Sequence, residues 1–124
     1  MHRILVIYGD PESWRVLNQA LVPAYYVVTA PYFPTVIAET FSRTKPDLVV
    51  LDIGLAGEPV KDLCRQIRKE SKTVPLFVLG SAESADKILM FELGADDYIT
   101  KPIDATEFLA RVHNRVRWWT GPGQ

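Results

Sequence analysis

A chain of 124 residues is near the commonest size of one domain and can bury roughly two thirds of its unfolded surface, so a single compact core is expected. Lys plus Arg number 14 against 15 Asp plus Glu, a net charge of −1, which excludes a general electrostatic pull toward nucleic acid or a membrane surface; no direct nucleic-acid binding is expected. The longest apolar runs, such as Ile4 to Ile7 and Leu48 to Leu51, fall far short of the roughly 20 residues of a spanning helix.

Along the chain, apolar β-rich runs alternate with runs of helical period. Ile4-Leu5-Val6-Ile7 reads as a first strand, and the early Gly9-Asp10-Pro11 break after it argues against a secretory signal. Trp14, Leu17 and Leu21 then recur at helical spacing. Residues 25–29 read as a second strand, and residues 34–43 as a helix with Pro34 in its first turn and Val36, Ile37 and Phe41 on one face. The third strand, residues 47–51, has no polar alternation, as a parallel sheet covered on both faces by helices requires. Residues 59–69 form a helix presenting Val60, Leu63, Cys64 and Ile67 to the core. Cys64 is the lone cysteine, which rules out an intrachain disulfide and suits a reducing cytoplasm. A fourth strand covers residues 76–79, and a helix around residues 86–93 ends at Gly94, a C-terminal cap residue. The fifth strand is short, residues 98–100. The last helix, from about 104 to 119, buries Phe108, Leu109, Val112, Val116 and Trp119 and is stopped by Thr120-Gly121-Pro122-Gly123. Residues 1–120 are expected to be the domain and 121–124 a tail or the start of a linker.

Five βα units with right-handed crossovers predict an α/β fold, a doubly wound five-stranded parallel sheet whose site lies at the carboxyl ends of the strands. Those ends hold Tyr8-Gly9-Asp10, Asp52, Gly80-Ser81 and Lys101-Pro102. An aspartate there can accept a phosphoryl group as a nucleophile while a lysine neutralises the transferred oxygens. Each alone has a plainer reading, Asp52 as the end of a strand and Lys101 as a solvated cation.

The segments Pro46-Asp47-Leu48-Val49-Val50-Leu51-Asp52 and Leu93-Gly94-Ala95-Asp96-Asp97-Tyr98-Ile99-Thr100-Lys101-Pro102 resemble the two most recognisable stretches of response-regulator receiver domains. Residues 3–7 resemble that family's first strand, and Phe108-Leu109-Ala110-Arg111-Val112 resembles the last helix of its winged-helix transcription-regulator subfamily, so the likeness spans essentially the whole chain. The resemblance implies a flavodoxin-like receiver fold of strand order 2-1-3-4-5, a role in two-component phosphorelay signalling rather than enzymatic turnover, a cytoplasmic location and a sensor histidine kinase as partner. It implies that Asp52 is the phospho-acceptor, Lys101 its lysine partner and Tyr98 the aromatic whose rotamer reports activation. It also implies a cis Lys101-Pro102 bond, which only an X-Pro sequence makes cheap.

The departures from the family matter equally. Receivers carry two acidic residues directly after the first strand to hold Mg²⁺, and this chain has Tyr8 and Gly9 there, with Asp10 one residue late. Mg²⁺ wants near-octahedral oxygen ligation, so a site built from Asp10, Asp52 and the Gly54 carbonyl is expected to be weak. Asp10 reads alternatively as the N-cap of the first helix, with Pro11 at its first position. The family's Ser or Thr after the fourth strand falls on Gly80 or, with the alignment slid by one, on Ser81; the sequence leaves both open. Ala56 replaces a usual proline, and Val60 stands where glycine is common. With fewer carboxylates, Asp52 and Lys101 can form a satisfied pair without an ion, and Tyr8 either covers that pocket or belongs to the core.

By the same resemblance, the fourth helix, fifth strand and fifth helix form a face that pairs two receivers into a homodimer. Lys87, Asp96, Asp97, Glu107 and Arg111 match its intersubunit salt-bridge positions, and Ile88, Phe91 and Ala110 its apolar patch. The alternative is an ordinary solvated surface with local ion pairs. Trp118 extends the stripe of Arg111, whereas His113 stands where Arg or Lys is usual; His2 and His113 have no partner at metal-ligand spacing and read as surface residues. Three functions are weighed: a receiver acting with weak or no phosphorylation, a phosphorylation-independent adaptor, and a small flavin or nucleotide-binding domain. The last is disfavoured because the acidic loop Gly9-Asp10-Pro11-Glu12-Ser13 lacks a phosphate cradle.

Overall fold

The computed structural model describes residues 2–53, 58–82 and 84–118, with the backbone alone for residues 58, 59, 84–86 and 118. The chain alternates strand and helix: β1 (Arg3–Ile7), α1 (Pro11–Leu21), β2 (Tyr26–Ala30), α2 (Pro34–Thr44), β3 (Leu48–Asp52), α3 (Glu58–Glu70), β4 (Leu76–Gly80), α4 (Ser84–Glu92), β5 (Asp97–Thr100) and α5 (Ala105–Trp118). The strands form one parallel sheet of order β2-β1-β3-β4-β5, as the repeated βα pattern predicts. Because β3 and β4 are buried along their whole length, their side chains feed both faces, and alternate residues enter two separate cores. Leu5, Ile7, Val49, Leu51 and Val78 meet Ile37, Phe41, Leu63, Cys64, Ile67 and Met90 from the α2, α3 and α4 side. Ile4, Val6, Val50 and Leu79 meet Leu17, Leu21, Phe108, Val112 and Val116 from α1 and α5.

Three local details differ from the sequence reading. Val36 is exposed while its neighbours Ile37, Thr40 and Phe41 are buried, because one residue advances the helix by 100° and turns Val36 off the core stripe. Leu109 is half-buried at the edge of its core. The fourth helix begins at Ser84, ahead of the first apolar residue, since its opening turn is polar. Gly94 ends α4 at φ +106°, a conformation that favours glycine. Gly54, Ala56, Trp119 and residues 120–124 lie outside the described residues.

The register brings the site together. Ile7 pairs with Leu51, Asp52 with Leu79 and Gly80 with Thr100, so the residues that follow β1, β4 and β5 meet around the end of β3. Among the described residues no helix is long and apolar enough to cross a membrane.

Candidate functional site

Asp52 is the last residue of β3 and is fully buried, 0% exposed. An isolated carboxylate in that position would be costly, and the chain supplies the compensation itself. Oδ1 forms an ion pair with Lys101 Nζ. Oδ2 accepts hydrogen bonds from the backbone amides of Gly9 at 3.1 Å and Asp10 at 3.2 Å. The loop can come this close only because residue 9 lacks a side chain: a Cβ on Gly9 would stand 2.9 Å from the Asp52 main-chain oxygen and 3.1 Å from its Cγ.

Asp10 joins the same network from the other side. Its Oδ1 accepts from the Ser13 amide at 2.8 Å, the N-cap bond of α1, while Oδ2 accepts from Ser13 Oγ at 3.0 Å and Lys101 Nζ at 2.6 Å. The sequence left Asp10 open between helix cap and metal ligand; here it caps α1 and pairs with Lys101. The Lys101 bond, then the Ser13 amide, hold the Asp10 carboxyl down at about 2. For Lys101, burial opposes the charge, but the bonds to Asp10 and Asp52 outweigh it and raise the ammonium above its usual range. The Lys101-Pro102 bond is cis, and a cleft of about 520 Å³ lined by Asp10, Ser13, Val16, Lys101 and Pro102 opens beside the pair. Tyr8 is exposed and rests on Trp14, with ring centroids 6.0 Å apart, so it does not belong to the core.

At the end of β4, Gly80 is the last strand residue, and its carbonyl accepts from Lys101 N at 2.8 Å. Ser81 lies beyond the strand and is exposed. Tyr98, in β5, is 6% exposed, and its hydroxyl donates to the Ser81 carbonyl at 2.7 Å.

Mg²⁺ needs oxygen ligands in near-octahedral array. As arranged, Asp52 is engaged by two amide donors and an ammonium, and Asp10 by Ser13 and the same ammonium; N–H groups aimed at a carboxylate exclude a cation from that side. Among the described residues no three His, Cys, Asp or Glu side chains are grouped to hold a metal. The arrangement does not fit the ion.

On the outer face, Ile88 and Phe91 of α4 are 60% and 43% exposed, and Lys87 and Ala110 are exposed beside them. The acids at the start of β5 are paired within the chain: Asp97, its first residue, with Arg111 at 2.8 Å, and Asp96, just ahead of the strand, with Arg115 at 3.0 Å and Arg68 at 3.2 Å, while Arg111 also meets Glu107 at 2.9 Å. Sequence reasoning passed over Arg68 and Arg115, whose partners lie 28 and 19 residues away. It also missed Tyr32, whose buried hydroxyl has no hydrogen-bond partner among the described residues and whose pKa is raised by burial and then by the charges of Asp52 and Asp10. His113 is exposed, and it bonds through Nδ1 to the Tyr25 hydroxyl. Nothing local signals that pairing.

Residues 4–113 match the family described as response regulator receiver domain. The transcriptional regulatory protein BaeR of Escherichia coli O6:H1 is 37% identical over 121 residues, covering 93% of this chain and 48% of that protein, so the chain spans about half the length of this relative. Among solved structures, the receiver domain of the TMAO respiratory system response regulator TorR is 29% identical, covers 96% of this chain and 99% of its own, and superposes with a TM-score of 0.84. A response regulator from Thermotoga maritima is 27% identical over 94% of this chain and 98% of its own, with a TM-score of 0.79.

Proposed function

The chain belongs to the response regulator receiver domain family of two-component systems, and from that premise we propose that it signals by protein contact, with Asp52 accepting a phosphoryl group weakly or not at all. Receiver domains of response regulators interact with histidine kinases, and the family typically binds Mg²⁺ at an acidic pocket. The observation that carries the reading is the self-contained network at Asp52, in which the Gly9 and Asp10 amides and Lys101 hold the oxygens that a phosphoryl donor and its metal would otherwise engage. Attack on phosphorus needs a free carboxylate oxygen, and neutralisation of the transferred oxygens falls to Lys101 alone. The metal's share of that stabilisation is usually several kcal/mol. Asp52 is then the candidate acceptor, Lys101 its counter-charge, and Gly80 rather than Ser81 the occupant of the switch position. Residues 1–120 act as the receiver, with 121–124 a tail or the start of a linker.

Output on this reading passes through α4, β5 and α5. Ile88, Phe91 and Ala110 supply an apolar patch, and Lys87, Asp96, Asp97, Glu107 and Arg111 a self-complementary charge pattern suited to an isologous homodimer. The relative BaeR is named a transcriptional regulatory protein; control of transcription through a further domain or partner is the corresponding role here. The test is incubation with Mg²⁺ and acetyl phosphate followed by intact-mass measurement, in which modification stays substoichiometric. Stoichiometric modification at low-millimolar Mg²⁺, abolished by Asp52→Asn but untouched by Asp10→Asn, overturns the reading.

A further inference from the structure

Tyr98 reaches its buried position across a place that has no side chain. A Cβ built on Gly80 would overlap the Tyr98 hydroxyl and stand 2.7 Å from both Cγ1 and Cδ1 of Ile53. Those atoms belong to side chains, not backbone, so a larger residue at position 80 is relieved by moving the ring rather than by breaking the strand. In its seat the ring shares a core with Ile53 and Val78, and its hydroxyl is satisfied by a main-chain carbonyl, that of Ser81. A tyrosine swung outward would leave a void beside Gly80 and Ile53 and lose that bond. The features that make the seat are thus the bare Cα of residue 80 and a backbone oxygen, and neither changes with the group that Asp52 carries.

We infer that Gly80 is a positioning residue: by leaving its side-chain volume empty it seats Tyr98 permanently between the ends of β4 and β5, whatever the chemical state of Asp52. The seat fixes β5, whose Asp97, next to Tyr98, is bound to Arg111 of α5, while Asp96, just ahead of the strand, is bound to Arg115. The face is therefore held in one arrangement. This consequence rests on the docking role proposed above, whereas the seat itself does not.

The experiment labels the full chain with 3-fluorotyrosine at its five tyrosines and assigns the Tyr98 ¹⁹F line by its loss in Tyr98→Phe. The expected result is a single Tyr98 line with almost no H₂O/D₂O isotope shift, at the same position in Asp52→Asn and after addition of beryllofluoride with Mg²⁺. In Gly80→Ser that line moves to a solvent-sensitive position while the Tyr25 and Tyr26 lines stay in place, which a general loosening of the fold would not produce. Trimming the ring in the double variant Gly80→Ser/Tyr98→Leu restores much of the melting temperature lost in Gly80→Ser. A Tyr98 line that is solvent-exposed or split in the unmodified chain, that shifts in Asp52→Asn, or that stays put in folded Gly80→Ser overturns the inference. If Gly80→Ser does not fold, the unmodified chain and Asp52→Asn still decide it. Sedimentation velocity on the same samples separates the two claims: a monomer throughout defeats the docking face, and the ¹⁹F line still reports the seat.

Discussion

Restoring an acid at Gly9 is the sharpest test of how Asp52 is held. The missing Cβ faces the Asp52 main-chain oxygen at 2.9 Å and its Cγ at 3.1 Å, and a backbone atom at the end of a fully buried strand cannot step aside. The loop must retreat, and the two amide bonds to Oδ2, at 3.1 and 3.2 Å, are lost with it. Hydrogen bonds to a charged group contribute about 1.5–3 kcal/mol each, and long ones sit at the low end, so Gly9→Ala is expected to lose about 3 kcal/mol. Gly9→Asp loses about a further 1 kcal/mol, because a third carboxylate joins two that share one lysine. Mg²⁺ distinguishes the two variants: the new acid and the released Asp52 oxygen offer the ligands the ion needs, and at tenfold excess over its dissociation constant it returns about 1.4 kcal/mol to Gly9→Asp. Gly9→Ala gains nothing. Urea unfolding followed by tryptophan fluorescence, with and without Mg²⁺, reads both terms, Trp14 standing one ring contact from Tyr8. A Gly9→Ala variant as stable as the unmodified chain would refute the claim that the loop holds Asp52, and equal Mg²⁺ stabilisation of the unmodified chain and Gly9→Asp would refute the closed pocket.

Asp10 is expected to show its two roles separately. Asp10→Ala loses both cap and ion pair, about 2–3 kcal/mol, whereas Asp10→Asn keeps a good cap and loses about half as much; equal losses in urea melts would count against the cap. Its carboxyl is depressed in the folded chain to about 2 from 3.8, so its contribution is complete above pH 3.8 and disappears as the pH falls toward 2. With the side chain 30% exposed, screening leaves about 1–2 kcal/mol, and an unmodified chain that loses no more stability than Asp10→Asn across that window would contradict the assignment. On the outer face, Glu107→Lys sets a second cation beside Arg111 in place of the 2.9 Å bond. Self-association in sedimentation velocity is expected to fall while chain stability changes by less than about 1 kcal/mol; unchanged association of a chain that does dimerise would move the interface elsewhere.

The fold was legible because its signals are local. Strands without polar alternation demanded a doubly covered parallel sheet, and Gly94 marked its turn, where the chain takes φ +106°. Asp52 and Lys101 were legible as a carboxylate and an ammonium at the carboxyl ends of two strands of one sheet. What stayed hidden depends on how distant segments approach. The Asp10–Lys101 bond spans 91 residues and the Tyr25–His113 bond 88, and no spacing rule reaches that far. The sequence left Gly80 and Ser81 both open, since an alignment that can slide by one carries no register; the pairing of Gly80 with Thr100 supports the Gly80 reading proposed above. Tyr32 had no signal, because an aromatic after a strand is usually core and only the burial of its hydroxyl sets it apart.

Two glycines therefore stand at opposite ends of one connected group, and the physics differs at each. At Gly9 the vacant volume faces backbone, so a side chain there must displace the loop; at Gly80 it faces the tips of Tyr98 and Ile53, so a side chain there displaces a ring. Between them the contacts are continuous: Gly9 to Asp52, Asp52 to Lys101, Lys101 N to the Gly80 carbonyl, and Tyr98 to Ser81. On the function proposed above, adding a charge at Asp52 breaks bonds of this group before it makes new ones, and phosphorylation stays weak. The seat of Tyr98 asks nothing of Asp52, which leaves the outer face formed without it. A receiver built this way offers its partners one surface at all times, and control on this reading lies in how much of the chain is present and which partner competes for α4, β5 and α5.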